Sequence, residues 1–99
     1  MKNTTREHIL CAAIYVDDGV KRIHMPRNIK TGIVVCGWRH HNCFMILDAI
    51  FDREETRGAT QGFLTSKDRF LNRGDSAEIA FRARQIEKPA DTLISEDLY

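Results

Sequence analysis

Residues Ile9–Val16 form a nearly unbroken apolar run, rich in side chains that suit a pleated strand, and the run stops abruptly at Asp17-Asp18-Gly19. An Asp-Gly pair directly after such a run is a turn signal, because both residue types tolerate positive φ. Val20–His24 then resumes with alternating character, so the sequence predicts a β-hairpin turning at Asp18-Gly19. Pro26 and Asn28 break the chain before Thr31–Trp38, where Ile33, Val34, Val35 and Cys36 read as a buried central strand. Three antiparallel strands are the simplest sheet these runs can build.

From His40 the apolar period changes. Cys43, Phe44, Leu47, Ile50 and Phe51 recur at helical spacing while Asp48 and Asp52 take the other side, which predicts an amphipathic helix packed on the sheet. Residues 52–60 are charged, contain Arg57-Gly58 and read as a surface connection, with a short strand at Gly62–Thr65 after it. Asn72 stands three residues before Asp75, a variant of the capping box, and opens a second helix with Ile79, Ala80, Ala83 and Ile86 on one face. Pro89 is expected to end that helix, and the tail 93–99 reads as a docked segment. The expected fold is therefore α+β: one domain over residues 1–99, a small antiparallel sheet packed with two main helices.

A chain of 99 residues buries only a modest fraction of its surface, so support from oligomerisation is expected. Lys plus Arg number 15 against 14 Asp plus Glu. This balance argues against general DNA binding, which draws on excess positive charge. Ten arginines against five lysines favour planar, bidentate contacts to phosphate or carboxylate, so a small anionic ligand is the expected partner. Cys11, Cys36 and Cys43 form an odd set, two of them within apolar runs, which fits a reducing cytoplasm. No apolar run approaches the length of a membrane span and no signal-peptide segment is evident, so the cytoplasm of the cell that makes the protein is the expected location.

Two stretches carry candidate binding chemistry. Arg39-His40-His41 lies where the buried strand meets the first helix, beside N-terminal amides that favour an anion. The competing reading packs His40 on the apolar face and leaves Arg39 and His41 in water. The second stretch, Gln61 to Arg73, reads as a loop that mixes two aromatics, three cations, two hydroxyls and an Asn. Phe63 or Phe70 can stack on a base, Thr65 and Ser66 can meet hydroxyls, Arg69 and Arg73 can pair with phosphates, and Asn72 can read an edge. Structurally, Phe70 can instead staple the helix and Asn72 cap it. The ligand-binding set expected from these stretches is Arg39, His40, Gln61, Phe63, Arg69, Asn72 and Arg73.

Other chemistries fit less well. Cys36 and Cys43 bracket His40 and His41 without Cys-x-x-Cys spacing, so no metal and no cofactor is expected. A Cys-His hydrolase would need an exposed, acidified thiol, and both cysteines look buried. Glu96 and Asp97 form a conceivable catalytic pair, but tail carboxylates more often serve as salt-bridge or ribose acceptors.

The order of motifs supplies a further expectation. Arg-His at the strand exit, then Gln61-Gly62-Phe63, then Arg69-Phe70-Leu71-Asn72-Arg73 opening an Ala-rich helix, then Gln85-Ile86 and a closing Ser95-Glu96-Asp97-Leu98-Tyr99, resembles the first Thoeris anti-defence family. The likeness spans Ile9 to Tyr99. These phage-encoded sponges bind cyclic ADP-ribose isomers made by bacterial TIR-domain immune sensors, and some also take cyclic oligonucleotides. The resemblance implies a non-enzymatic protein that holds its ligand uncleaved, in an oligomer with the pocket at or near a subunit interface. It implies ligand contacts from Arg39 beside His40, from Phe63 as the stacking ring, and from Asn72 with Arg73. The sequence departs from the family pattern at Arg84, where a small residue is expected, and in its short charged connection 52–60. A rival reading from a different class is a small phage protein that inhibits a host enzyme through an exposed apolar surface.

Overall fold

The computed structural model describes residues 6–52 and 54–98. Its elements are β1 (Ile9–Val16), β2 (Ile33–Gly37), α1 (His40–Ile50), β3 (Thr60–Thr65), β4 (Phe70–Asn72), α2 (Arg73–Arg82) and a 3₁₀ turn at Ser95–Asp97. The four strands form one antiparallel sheet in the order β2-β1-β3-β4. This is an α+β fold with both helices on one face: α1 lies over β1 and β2, and α2 over β3, β4 and β1.

The period-2 alternation of β1 explains that layering. Ala12, Ile14 and Val16 point into the core with Val35, Phe63, Cys43, Leu47, Ala77, Ala80 and Leu93. Small residues at Ala12, Ala77 and Ala80 let the helices approach the sheet closely, while Phe63, Ile14, Leu47 and Leu93 supply the volume. Each of these larger side chains contributes on the order of 1.5–3 kcal/mol by leaving water.

Three expectations need correction. Val20–His24 is not a strand, because both edges of β1 are taken by β2 and β3. The turn chemistry at Asp18-Gly19 is nonetheless present. Gly19 has φ +77, Asp17 accepts its N–H at 3.0 Å, and Asp18 holds Arg22 in a two-pronged ion pair. The chain after it returns through Gly32, which donates to the Val20 carbonyl at 2.9 Å, and so reaches β2 by a long loop.

The segment from Gln61 to Arg73 is a hairpin and not a loop. Gly62 pairs with Asn72, Phe63 with Leu71 and Leu64 with Phe70. Gly62 is required there, since a Cβ would stand 2.0 Å from the Leu71 carbonyl oxygen and 2.8 Å from the Phe70 ring. Asn28 reaches across to accept the Phe70 N–H at 2.9 Å and donate to its carbonyl at 2.6 Å, closing the outer edge of β4.

The second helix stops at Arg82, well before Pro89. Arg84 donates to the Phe81 carbonyl and Gln85 to that of Ala80, the paired bonds of a Schellman ending, with Arg84 itself at φ +62. The small residue expected at this position thus has a backbone reason. Gln85 then behaves like a piece of strand: its side-chain amide accepts from the Ile9 N–H and donates to the Ile9 carbonyl, both at 2.8 Å. The tail is docked as expected, with Leu93 fully buried and its N–H bonded to the Arg73 carbonyl at 3.0 Å. Tyr99, the last residue of the expected tail, lies outside the described residues.

Candidate functional site

The antiparallel order of β3 and β4 decides which of the expected site residues can meet. Gln61 lies near the start of β3 and Arg73 directly follows β4, so the hairpin closes one on the other. A guanidinium NH2 of Arg73 donates to the Gln61 Oε1 at 2.7 Å. His40, the first residue of α1, leans over the same strand and donates from Nε2 to the Gly62 carbonyl at 2.7 Å. Burial holds the His40 pKa below the usual histidine value, and the Arg73 charge adds to that; the Gly62 bond and Glu96 oppose it. The imidazole is thus neutral near pH 7, with one ring nitrogen committed to the backbone.

Arg39 caps α1 from an extended backbone, its own N–H bound by the Asn42 side chain at 2.9 Å. Its guanidinium pairs with Glu96 of the 3₁₀ turn at 3.4 Å. Arg39, His40, Gln61, Arg73 and Glu96 therefore belong to one neighbourhood, built where the first turn of α1, the β3–β4 ends and the docked tail converge. Within it the Nε of Arg73 is buried and, among the described residues, has no hydrogen-bond partner. A guanidinium so placed still has an N–H to offer an acceptor.

The remaining expected residues lie elsewhere or are committed. Arg69 lies across the turn from Thr65, which is four strand residues along β3 from Gln61, so the two ends are on the order of 13 Å apart. It is clamped by Glu7, Nε to Oε2 at 2.8 Å and NH2 to Oε1 at 2.7 Å. That clamp, with the Thr65 hydroxyl also donating to Glu7, holds the Glu7 carboxyl down at about 2. Asn72 caps α2 by accepting the Asp75 N–H at 2.8 Å, which is its structural reading. Phe63 is 0% exposed, its ring edge-on to His40 with centroids 5.0 Å apart. It offers no free face for a base, and truncating it would open the core, so the stacking role is corrected to a packing role. Phe70 is likewise buried, beside Tyr15 at 5.8 Å.

Glu7 and Glu96 decide which arginines are occupied. Glu96 is a salt-bridge carboxylate, as expected of a tail carboxylate; nothing local in the sequence links Glu7 to an arginine 62 positions away. Asp97 accepts the Ile94 N–H at 3.1 Å. The thiols give no prepared nucleophile beside His40: burial pushes the Cys43 thiol up to about 11. Among the described residues no group of three or more His, Cys, Asp and Glu side chains is placed to hold a metal ion.

The arginine neighbourhood meets solvent at Glu96, which is 65% exposed. Open clefts of about 490 Å³ beside Gln85–Ala90 and about 200 Å³ between Arg69, Asp75 and Arg82 lie apart from it, with neither Arg39 nor Arg73 in their walls. Among the described residues no helix is long and apolar enough to cross a membrane.

Comparison with curated proteins and with solved structures gives no match. The family model described as the phage T4 y16D protein matches residues 8–99, so the chain belongs to that phage protein family.

Proposed function

We propose that this phage protein binds a small phosphorylated ring, a cyclic ADP-ribose isomer or a related cyclic nucleotide messenger, and sequesters it without cleaving it. The observation that carries the reading is the meeting of Arg39, Arg73, Gln61 and His40 at one end of the sheet, with a buried Arg73 N–H lacking an acceptor. Two guanidinium groups held by side-chain partners present planar donors at low ordering cost, which suits phosphate oxygens. Glu96 holds Arg39 through a 3.4 Å contact and is 65% exposed, so an arriving phosphate can displace it.

His40 is neutral and tied to a carbonyl, and Cys43 stays a thiol at neutral pH. In this reading the ligand is enclosed by a second subunit, because one chain supplies only one wall. A sponge must hold a scarce messenger longer than its effector does, and closing the corner across a subunit contact slows release.

The test mixes the purified protein with TIR-generated and cyclase-generated messengers, removes free ligand, and heats the complex. Return of intact messenger supports sequestration. Return of an altered product makes this protein an enzyme, and no capture of either class removes the proposal. Inhibition of a host protein is the second reading, favoured by apolar side chains exposed on α1.

A further inference from the structure

Helix α1 is apolar nearly all round, yet it buries only His40, Cys43 and Leu47 against the sheet. Phe44 is 37% exposed, Met45 68%, Ile46 43% and Ile50 56%. A helix with apolar residues on every side is normally buried on every side, because each exposed large side chain forgoes its transfer free energy. Its uncovered surface also has a definite pattern. His41, Phe44, Met45 and Asp48 fall at i, i+3, i+4 and i+7, so they form one stripe with an imidazole at one end and a carboxylate at the other.

That stripe is complementary to itself. A two-fold axis between Phe44 and Met45 exchanges positions 44 and 45, and it also exchanges 41 and 48. We propose that α1 is a homodimer contact in which two copies pair their helices antiparallel, setting His41 of each against Asp48 of the other and burying Phe44 and Met45 between them. Parallel pairing would oppose Asp48 to Asp48, so the end charges select the antiparallel arrangement. Met45 suits the centre of such a contact, since its unbranched thioether side chain adapts to the Phe44 ring of the second copy. The inference supplies a surface for the assembly invoked under the proposed function and rests on that reading only there; the apolar stripe is present whatever the ligand.

An 11-residue helix is about 16 Å long, and a pair of that length buries less than the roughly 1,600 Å² of a standard interface. A concentration-dependent dimer is therefore expected. Sedimentation of the full chain from about 1 to about 200 µM, bracketing micromolar affinity, reads it out. The wild type should pass from monomer to dimer over that range. Met45→Lys should stay monomeric, and circular dichroism should show it folded, because the side chain it replaces is mostly in water. His41→Asp should weaken association at least tenfold by opposing two carboxylates at both ends, and the double swap His41→Asp with Asp48→His should regain it. A wild type that is monomeric throughout overturns the proposal, even if it captures a host protein, since the face then serves another partner. A Met45→Lys protein that dimerises like the wild type, or a double swap no stronger than His41→Asp, overturns it equally. Messenger capture measured on the same variants separates the two proposals: loss of dimer with wild-type capture tells against the shared pocket, and an intact dimer without capture tells against the ligand.

Discussion

The two ends of β3 each carry an arginine from the same short hairpin, and the two are used in opposite ways. Arg69 spends Nε and NH2 on Glu7, a two-pronged pair that ties the chain's first described residues to the β3–β4 turn. Arg73 spends one NH2 on Gln61, while its buried Nε has no partner among the described residues. Residue type, spacing and local context do not distinguish them. What distinguishes them is whether a carboxylate from elsewhere in the chain reaches each one. An arginine with its donors spent is a structural clamp, and one with a buried donor left over is a candidate ligand contact.

The largest effect is expected where the two ends are joined. Gly62→Ala puts a methyl 2.0 Å from the Leu71 carbonyl and displaces the backbone that holds His40. It should cost about 3 kcal/mol or more and remove both ends together, which a urea titration would show. Arg73→Ala should separate them, lowering messenger affinity by about ten- to a hundredfold, with a melting temperature within a few degrees of wild type. Glu7→Gln makes the opposite separation. It should leave capture intact and destabilise by about 1 kcal/mol after allowing for the partial exposure of Arg69, or about 4–8 °C in a domain of this size.

Acid should act on the two ends in sequence. The His40 pKa is depressed below its unfolded value, so its contribution is present above about pH 6.5 and is lost as pH falls through the folded value. Glu7, depressed from 4.5 to about 2, keeps its contribution above about pH 4.5 and loses it as pH falls toward 2. Stability measured against pH should therefore fall in an upper step that His40→Gln removes and a lower one that Glu7→Gln removes. The smallest effect belongs to the ending of α2. Arg84→Gly relieves a left-handed backbone at φ +62 and should stabilise by roughly 0.5–1 kcal/mol without altering capture.

The elements that were legible in the sequence were those whose signal is local. The β1 and β2 runs, the change of period at His40, the Asn72 cap and the docked tail are each written in a few neighbouring residues, although β2, expected to be a buried central strand, is an edge strand with Cys36 exposed. Competition and register were not legible. Val20–His24 has strand character, but β1 has no free edge for it. Phe70–Asn72 is too short to announce a strand, and it becomes one by pairing with β3 and by the Asn28 side chain reaching in. The inner face of α1 was read too broadly, for Phe44 and Ile50 match the helical period yet remain exposed.

The candidate site divides along the same line. Arg39, His40, Gln61 and Arg73 come together because the strand exit and the hairpin end are neighbours in the folded sheet. The local mix of residues and the motif order both point Phe63 at a ligand, and neither carries the strand alternation that turns its ring into the core. Arg69 could not be separated from Arg73 while its partner Glu7 was 62 positions away.

The most direct measurement is calorimetric titration of one intact cyclic messenger into wild type, Arg73→Ala and Arg69→Ala. Binding is expected for wild type and for Arg69→Ala, the latter at reduced thermal stability, and is expected to be lost in Arg73→Ala. Wild-type affinity in Arg73→Ala, or loss of binding in a folded Arg69→Ala protein, would contradict the assignment of the two ends.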